Sequence, residues 1–167
     1  MAHLRNFLHH YQQFKNKIFT YVLYRVFFDR DMAEDLTSEI FLKAYEHFEA
    51  FDEKRPFSPW IYTIAHNHLM TFLKNRKQLL SLDEARTASE DPAFINRIEE
   101  KMLTGKILHF MKKLPDIQQT VLLLRFQHGL SHAEIGAITA QEEPTVRVTL
   151  SRAIASLRQK FIEGSNS

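Results

Sequence analysis

The chain has 167 residues, a net charge of +2 at pH 7, no cysteine, and only four glycines and five prolines. The lack of cysteine excludes disulfides, thiolate metal sites and thiol nucleophiles, and the scarcity of glycine and proline favours an all-α protein. No apolar run approaches the roughly 18 residues of a membrane span. The first residues also lack the apolar core of a signal peptide, so we expect a cytoplasmic protein that is not membrane-embedded.

The charges are unevenly distributed along the chain. Residues 1–77 carry a net charge of +2, residues 78–100 carry −4, and residues 101–167 carry +4. An acidic connector between two mildly basic blocks indicates two domains rather than one continuous bundle. We therefore predict two small helical domains, at residues 1–77 and 93–167, joined by a flexible acidic linker over residues 78–92.

The first block begins with an aromatic helical region over about residues 4–28, with a break expected near residues 14–17. A second helix follows, and Asp31 with Glu34 resembles its capping box. Its buried stripe is predicted to consist of Leu36, Ile40, Phe41, Ala44 and Phe48. The opposite face places Leu42 within an acidic row of Asp35, Glu39 and Glu46. Acidic faces are usually just solvated, but an apolar residue within this one indicates a docking surface for a basic helix.

A third helix is predicted to open at Ser58 and Pro59. On one side of this helix, apolar residues recur at the spacing of a buried face. The other side shows Tyr62 and Asn67, and the helix ends in a basic run at residues 74–77. Aromatic and amide groups beside a basic end suit unpaired bases and phosphates. The alternative is an ordinary amphipathic helix whose aromatic residues, Trp60 and Tyr62, fill a domain edge.

The sequence offers no support for catalysis. His66 and His68 point about 200° apart on a helix and cannot share one metal. Glycine-rich phosphate loops and nucleophile elbows are also missing from the sequence. We expect no catalytic residues, no metal, no cofactor and no small-molecule substrate.

The second block is predicted to contain four helices. One runs from about Ala93 to Lys113, a second starts at Pro115 and is closed by Gly129, and Ser131 with Glu134 caps a third. Pro144 marks the first turn of the fourth, which has the apolar stripe Val146, Leu150, Ala153, Leu157 and Phe161. The residues predicted to be buried together are Val121, Leu122, Phe126, Ile135, Leu150 and Leu157.

The last two helices have the form of a helix-turn-helix, in which the second helix enters a DNA groove. Its exposed face would carry Arg147, Val148, Ser151 and Arg152. The alternative is a helical hairpin with a solvated basic face.

Several short motifs in order resemble the extracytoplasmic-function sigma factors, over about residues 4–162. The motifs are Ala33–Leu36, Glu39–Tyr45, Trp60–Tyr62 with Ile64, Ala65 and Asn67, Leu114–Pro115, Leu122–Phe126, Gly129–Ser131, Glu134–Ile135, Thr145–Arg147, Leu150–Ala153 and Leu157–Arg158. The resemblance implies a non-enzymatic factor that binds core RNA polymerase and directs transcription initiation at specific promoters.

The resemblance also implies the site residues. Core polymerase would be contacted through Asp35, Ser38, Glu39 and Leu42. The minus-ten element would be melted and bound by Trp60, Tyr62, Asn67, Lys74, Arg76 and Lys77. The minus-thirty-five element would be read by Thr145, Arg147, Val148, Ser151 and Arg152. The implied partners are core RNA polymerase, promoter DNA and an anti-sigma factor.

Two other functions remain open on the sequence. A stand-alone helix-turn-helix regulator would bind duplex DNA tightly without polymerase, at a palindromic site. A helical interaction protein without a DNA role would show no salt-dependent binding to nucleic acid.

Overall fold

A computed structural model describes residues 1–82 and 103–165, apart from the side chains of residues 80–82, 103–106 and 165, and all regular elements in those ranges are helices. The N-terminal half contains α1 (Ala2–Arg25), α2 (Arg30–His47), a 3₁₀ turn (Phe48–Ala50) and α3 (Phe57–Leu82). The C-terminal half contains α4 (Leu103–Met111), α5 (Asp116–Leu122), a π-helical turn (Leu123–Gln127), α6 (His132–Thr139) and α7 (Glu143–Ser165). The predicted all-α fold with two helical parts is confirmed.

The N-terminal half is a three-helix bundle in which α1, α2 and α3 all touch one another. The α2 stripe predicted from the sequence is confirmed, because all five of its residues are buried. The predicted break near residues 14–17 is wrong, since α1 is continuous. The centre of the bundle is formed by fully buried Ile18, Val22, Ala33, Ile40, Ala44, Ile61, Ala65 and Leu69.

The cap of α2 lies two residues before the predicted one. The Asp29 carboxylate accepts a hydrogen bond from the Met32 backbone N–H at 3.2 Å, so Asp29 is the N-cap and Asp31 lies in the first turn. The preceding turn places Phe27 and Phe28 at φ of 53° and 65°. A left-handed backbone conformation costs a non-glycine residue about 1–2 kcal/mol. Packing of the partly buried Phe28 ring on the core offsets part of this cost.

The C-terminal half is built around residues of α5, α6 and α7. Its buried side chains include Val121, Leu124, Ile135, Ile138, Val146, Leu150 and Ala153. Phe126, which the sequence predicted to be buried, is instead 67% exposed. It lies in the π-helical turn, where the larger number of residues per turn shifts side chains out of the 3.6-residue phase on which that prediction depended.

The two halves are in contact, chiefly where α3 packs against α6. Helix α3 also runs to Leu82, so the first five residues of the segment predicted as linker are helical. The rest of that segment, and residues 93–102 of the helix predicted from Ala93, lie outside the described residues.

Candidate nucleic-acid interface and docking face

The outer face of α2 brings together the residues predicted to dock on a partner. Asp35, Ser38, Glu39 and Leu42 are all exposed, and Leu42 keeps 59% of its surface open to solvent. Beside them is a depression of about 500 Å³, lined by Asp29, Asp31, Met32, Asp35, Leu36, Glu39 and Phe72. The face is therefore acidic around an apolar floor, which suits a partner helix with basic and apolar side chains.

Glu39 is held in place from α3. Its Oε2 lies 2.7 Å from Nε2 of His68, which is largely buried. The His68 imidazole reaches the edge of the bundle and orients the carboxylate of Glu39, one of the residues predicted to dock on a partner. Such cross-helix contacts fix a side chain that would otherwise lose rotamer entropy on binding.

Trp60 stands at the rim of a second cavity, of about 350 Å³. Its indole packs on the rings of Phe51 and Phe57, with centroids 4.9 and 5.3 Å away. The loop before α3 also lines this cavity, through Asp52, Arg55 and Pro56. Sequence reasoning missed these loop residues, although a charged run between two helices is a common place for binding groups.

The six residues predicted on α3 do not share one open surface. Asn67, Lys74 and Lys77 are exposed, and Trp60 and Arg76 are half-buried. Tyr62 is 2% exposed, so it is unavailable to nucleic acid in this conformation. The prediction of an open polar side on α3 fails there because the C-terminal half covers it.

The helix-turn-helix has the geometry that its sequence predicted. The Ser131 hydroxyl accepts the Glu134 backbone N–H at 3.1 Å, and the Glu134 carboxylate accepts the Ser131 N–H at 3.2 Å. This reciprocal capping box starts α6. Helix α6 ends at Thr139 and is followed by its C-cap Ala140, a left-handed residue with φ 54°, and α7 begins at Glu143.

The first turns of α7 present the five residues predicted to read duplex DNA. Thr145, Arg147, Val148, Ser151 and Arg152 are all exposed, while Val146, Leu150 and Ala153 fasten the opposite side to the core. Arg147 donates to the Glu143 carboxylate at 2.8 Å and to His132 Nδ1 at 3.3 Å. Within the described part of the chain, no carboxylate pairs with Arg152, which leaves its guanidinium ready for phosphate or a base edge.

Polar side chains cross the boundary between the two halves. Arg25, only 1% exposed, donates to the Gln119 side chain and to Asp116 Oδ1 at 3.4 Å. Lys77 Nζ lies 2.6 Å from Asp116 Oδ2. Burial opposes ionisation of Asp116, but Lys77 and Arg25 outweigh it and hold the pKa of its carboxyl below the usual value.

A histidine–tyrosine contact also lies between the two halves. The Tyr62 hydroxyl and His128 Nδ1 share a hydrogen bond of 2.8 Å, and the Tyr21 ring lies edge-on to the same imidazole. Burial, with the nearby ammonium of Lys17, lowers the pKa of His128 to about 4. Burial, with the charge of Arg25, likewise lowers the pKa of His66 to about 4.

Among residues 1–82 and 103–165, no three His, Asp or Glu side chains are grouped so that they could hold a metal. Within the same ranges, no helix is both long and apolar enough to cross a membrane.

Comparison with known families follows the division into two halves. Residues 10–78 match Sigma-70 region 2, and residues 104–157 match Sigma-70 region 4. The chain is 30% identical to SigW of Bacillus subtilis over 159 residues, covering 89% of this chain and 84% of SigW. It is 27% identical to SigM of Bacillus subtilis, covering 93% and 95%. It is also 30% identical to BldN of Streptomyces coelicolor, of which it spans 57%.

Two solved structures share the fold. One is the sigma factor RpoE in complex with the anti-sigma factor NepR from Bartonella quintana, with a TM-score of 0.76 and 16% identity over 93% of this chain and 96% of that one. The other is CnrH in complex with the cytosolic domain of CnrY, with a TM-score of 0.68 and 20% identity over 96% and 90%. With both regions matched in order and relatives matched over most of their length, the chain belongs to the extracytoplasmic-function RNA polymerase sigma factors, which serve promoter-specific transcription initiation.

Proposed function

We propose that the chain docks on core RNA polymerase through the outer face of α2 and reads the promoter at two separate points. The observation that carries this proposal is the exposed row from Thr145 to Arg152 on α7, the second helix of a helix-turn-helix whose first helix is capped. The same chain also contains sigma region 2. A helix-turn-helix alone would suit many regulators, whereas its pairing with region 2 specifies a polymerase subunit.

The docking step uses Asp35, Ser38, Glu39 and Leu42. Two carboxylates steer a basic partner helix toward α2, and the exposed Leu42 then packs against its apolar positions. Because the carboxylates act during the approach, we expect the association rate to fall as the salt concentration rises. Because Leu42 packs in the complex, we expect the dissociation rate to depend on this apolar contact.

Mixing the chain with purified bacterial core RNA polymerase tests the proposal directly. Size-exclusion chromatography is expected to show a stable complex that binds promoter DNA, whereas the free chain binds the same duplex weakly. Tight duplex binding without any association with core would favour the stand-alone regulator instead.

The minus-ten element is assigned to the Trp60 cavity and the basic end of α3. One unpaired base would enter the cavity and stack on the indole, which contributes about 1–3 kcal/mol. Asn67 offers a donor and an acceptor for a base edge, and Lys74, Arg76 and Lys77 follow the phosphates. Tyr62 joins this surface only if the C-terminal half moves away.

Trp60→Ala is therefore expected to reduce promoter melting about tenfold or more while the holoenzyme still binds the duplex. Permanganate reactivity of unpaired thymines at the minus-ten element measures melting. Trp60→Phe retains an aromatic wall and should recover most of the activity. Equal melting by the alanine and phenylalanine variants would show that the ring does not hold a base.

The minus-thirty-five element is assigned to Thr145, Arg147, Val148, Ser151 and Arg152. Arginine on a recognition helix contacts guanine edges or phosphates, and a good base contact is worth about 1–3 kcal/mol. Val148 would provide apolar contact with a thymine methyl group.

Arg152→Ala should weaken binding of the holoenzyme to its promoter by about 1–3 kcal/mol and leave association with core unchanged. Arg158→Ala is the matched control, because it removes the same charge from the same helix outside the row. Fluorescence anisotropy of labelled promoter DNA at several salt concentrations measures both variants. Equal losses would point to general electrostatic attraction rather than to readout by Arg152.

We further propose that the free chain is restrained by an anti-sigma factor in the cytoplasm. The two structural neighbours were each solved with a protein partner, NepR for RpoE and CnrY for CnrH. Copurification from cells, followed by addition of core polymerase, tests whether such a partner competes with core for the chain.

A further inference from the structure

The loop beside the Trp60 cavity has little packing of its own. Residues 51–56, called the cavity loop below, connect the 3₁₀ turn to α3 and contribute to the cavity lining. All five residues from Asp52 to Pro56 are exposed. The Asp52 carboxylate accepts the Lys54 backbone N–H at 3.0 Å, and the Asp52 carbonyl accepts the Arg55 N–H at 2.9 Å. Because these bonds stay within the loop, its position depends on what holds it from outside.

Two buried phenylalanines fix the ends of the cavity loop. Phe51 is 8% exposed and Phe57 is 5% exposed, and their rings meet edge to face with centroids 5.5 Å apart. The same two rings contact the Trp60 indole. A shift of either ring therefore moves the loop relative to the indole.

His10 of α1 packs on both of these rings. Its imidazole stacks on Phe57 with centroids 4.2 Å apart and planes 8° apart, and it meets Phe51 edge to face at 6.1 Å. Burial first, and the neighbouring His9 second, lower the pKa of His10 against the opposing effect of Glu53. The imidazole is therefore uncharged at neutral pH. Stacked and edge-on aromatic pairs contribute stabilisation beyond the area that they bury.

Asn6, one turn earlier on α1, holds the middle of the cavity loop. Its side-chain amide donates to the Glu53 carboxylate at 3.0 Å. Asn6 and His10 are four residues apart and so lie on the same side of the helix. An exposed hydrogen bond contributes little to stability by itself, but this one restrains the loop where no buried side chain does.

We propose that His10 and Asn6 are positioning residues for capture of the unpaired promoter base. They hold the cavity loop on α1 and thereby keep the loop and the Trp60 indole at the spacing that a base requires. Neither side chain is among those that line the cavity, so they act through Phe57 and Glu53. The inference rests on the proposed function, because it applies only if a base enters the Trp60 cavity.

A fork-junction template with 2-aminopurine in the unpaired strand of the minus-ten element measures base capture. The fluorescence of this base changes when it leaves its stacked neighbours and packs on an indole. In titrations with holoenzyme, His10→Ala should weaken capture about two- to tenfold, the range that one aromatic pair contributes. Association with core and binding of the closed duplex should stay unchanged. His10→Phe keeps a flat ring against Phe57 and should restore capture.

Variants of Asn6 test the second contact without disturbing the buried rings. Asn6→Ala removes the hydrogen bond, whereas Asn6→Asp places a second carboxylate beside Glu53. We therefore expect Asn6→Asp to weaken capture more than Asn6→Ala does. Combining Asn6→Asp with Glu53→Gln reverses the direction of the hydrogen bond and should restore capture.

Tyr24→Ala is the control for general destabilisation of the bundle. It removes an α1 ring that packs on Phe28 at 4.8 Å, away from the cavity loop, and should lower the melting temperature without changing capture. A loss of capture in Tyr24→Ala equal to that in His10→Ala would overturn the inference.

Trp60→Ala separates failure of the inference from failure of the proposed function. If Trp60→Ala weakens capture but His10→Ala and Asn6→Asp match wild type, the inference is wrong and the proposed function stands. If Trp60→Ala also captures the base normally, no base enters this cavity, and the assignment of the minus-ten element to it fails.

Discussion

Gly136→Ala is expected to lower the free energy of unfolding of the C-terminal half by about 1–3 kcal/mol and to remove promoter recognition. A Cβ at this position would lie 2.6 Å from the backbone oxygen of Gln141 and 3.7 Å from Val146 Cγ2. The Gln141 N–H also donates to the Gly136 carbonyl at 2.9 Å, so the two backbones are already in contact. Because the obstacle is backbone, the turn between α6 and α7 must move, and α7 loses its orientation toward DNA.

Gly129→Ala is the matched control for this substitution. Gly129 has φ of +67°, but nothing lies within 4 Å of a Cβ placed there. Its replacement should cost about 1–2 kcal/mol through backbone strain alone and leave the turn intact. Thermal unfolding and promoter anisotropy with holoenzyme should then show similar stability losses but a binding defect only in Gly136→Ala. Normal promoter binding by Gly136→Ala would contradict the role given to this turn.

Asp35→Ala combined with Glu39→Ala is expected to weaken association with core polymerase about 100-fold, or roughly 3 kcal/mol. Both carboxylates lie on the exposed face of α2 beside Leu42, and Glu39 is already oriented by His68. Most of the loss should appear in the association rate at low salt, since these charges steer a basic partner. Surface plasmon resonance with immobilised core measures both rates.

Two controls distinguish docking from folding in that experiment. Asp35→Asn with Glu39→Gln removes the same charges but keeps the side-chain shapes, and it should reproduce most of the defect. Glu34→Ala with Glu49→Ala removes two exposed carboxylates outside the docking face and should bind core normally. Equal defects in the docking and control pairs would mean that overall charge, rather than this face, governs association.

Features specified by neighbouring residues could be predicted from the sequence. The capping box of Ser131 and Glu134 and the buried stripe of α2 both depend on a few adjacent positions, and both are confirmed. The start of α2 was two residues off because Asp29 and Asp31 both satisfy the composition of a cap, and only geometry selects Asp29.

Features that depend on the contact between halves could not be predicted. The periodicity of α3 assigns Tyr62 to a polar side, yet it is buried, because a second helical surface covers it. Arg25 gave no signal either, since its partners Gln119 and Asp116 are more than 90 residues away in sequence. Phe126 was misplaced because a π-helical turn changes the phase of side chains locally. The site residues on α2, α3 and α7 remain predictions that only binding and transcription experiments test.

Run-off transcription with purified core polymerase is the decisive test of promoter reading at two separate points. The template carries a promoter mapped in cells that overproduce the chain. We expect one start site with wild type and loss of that start site with Arg152→Ala although core is still bound. We also expect loss with Asp35→Ala combined with Glu39→Ala, because core is not bound. If initiation by core is no more specific with the wild-type chain than without it, the chain does not select promoters.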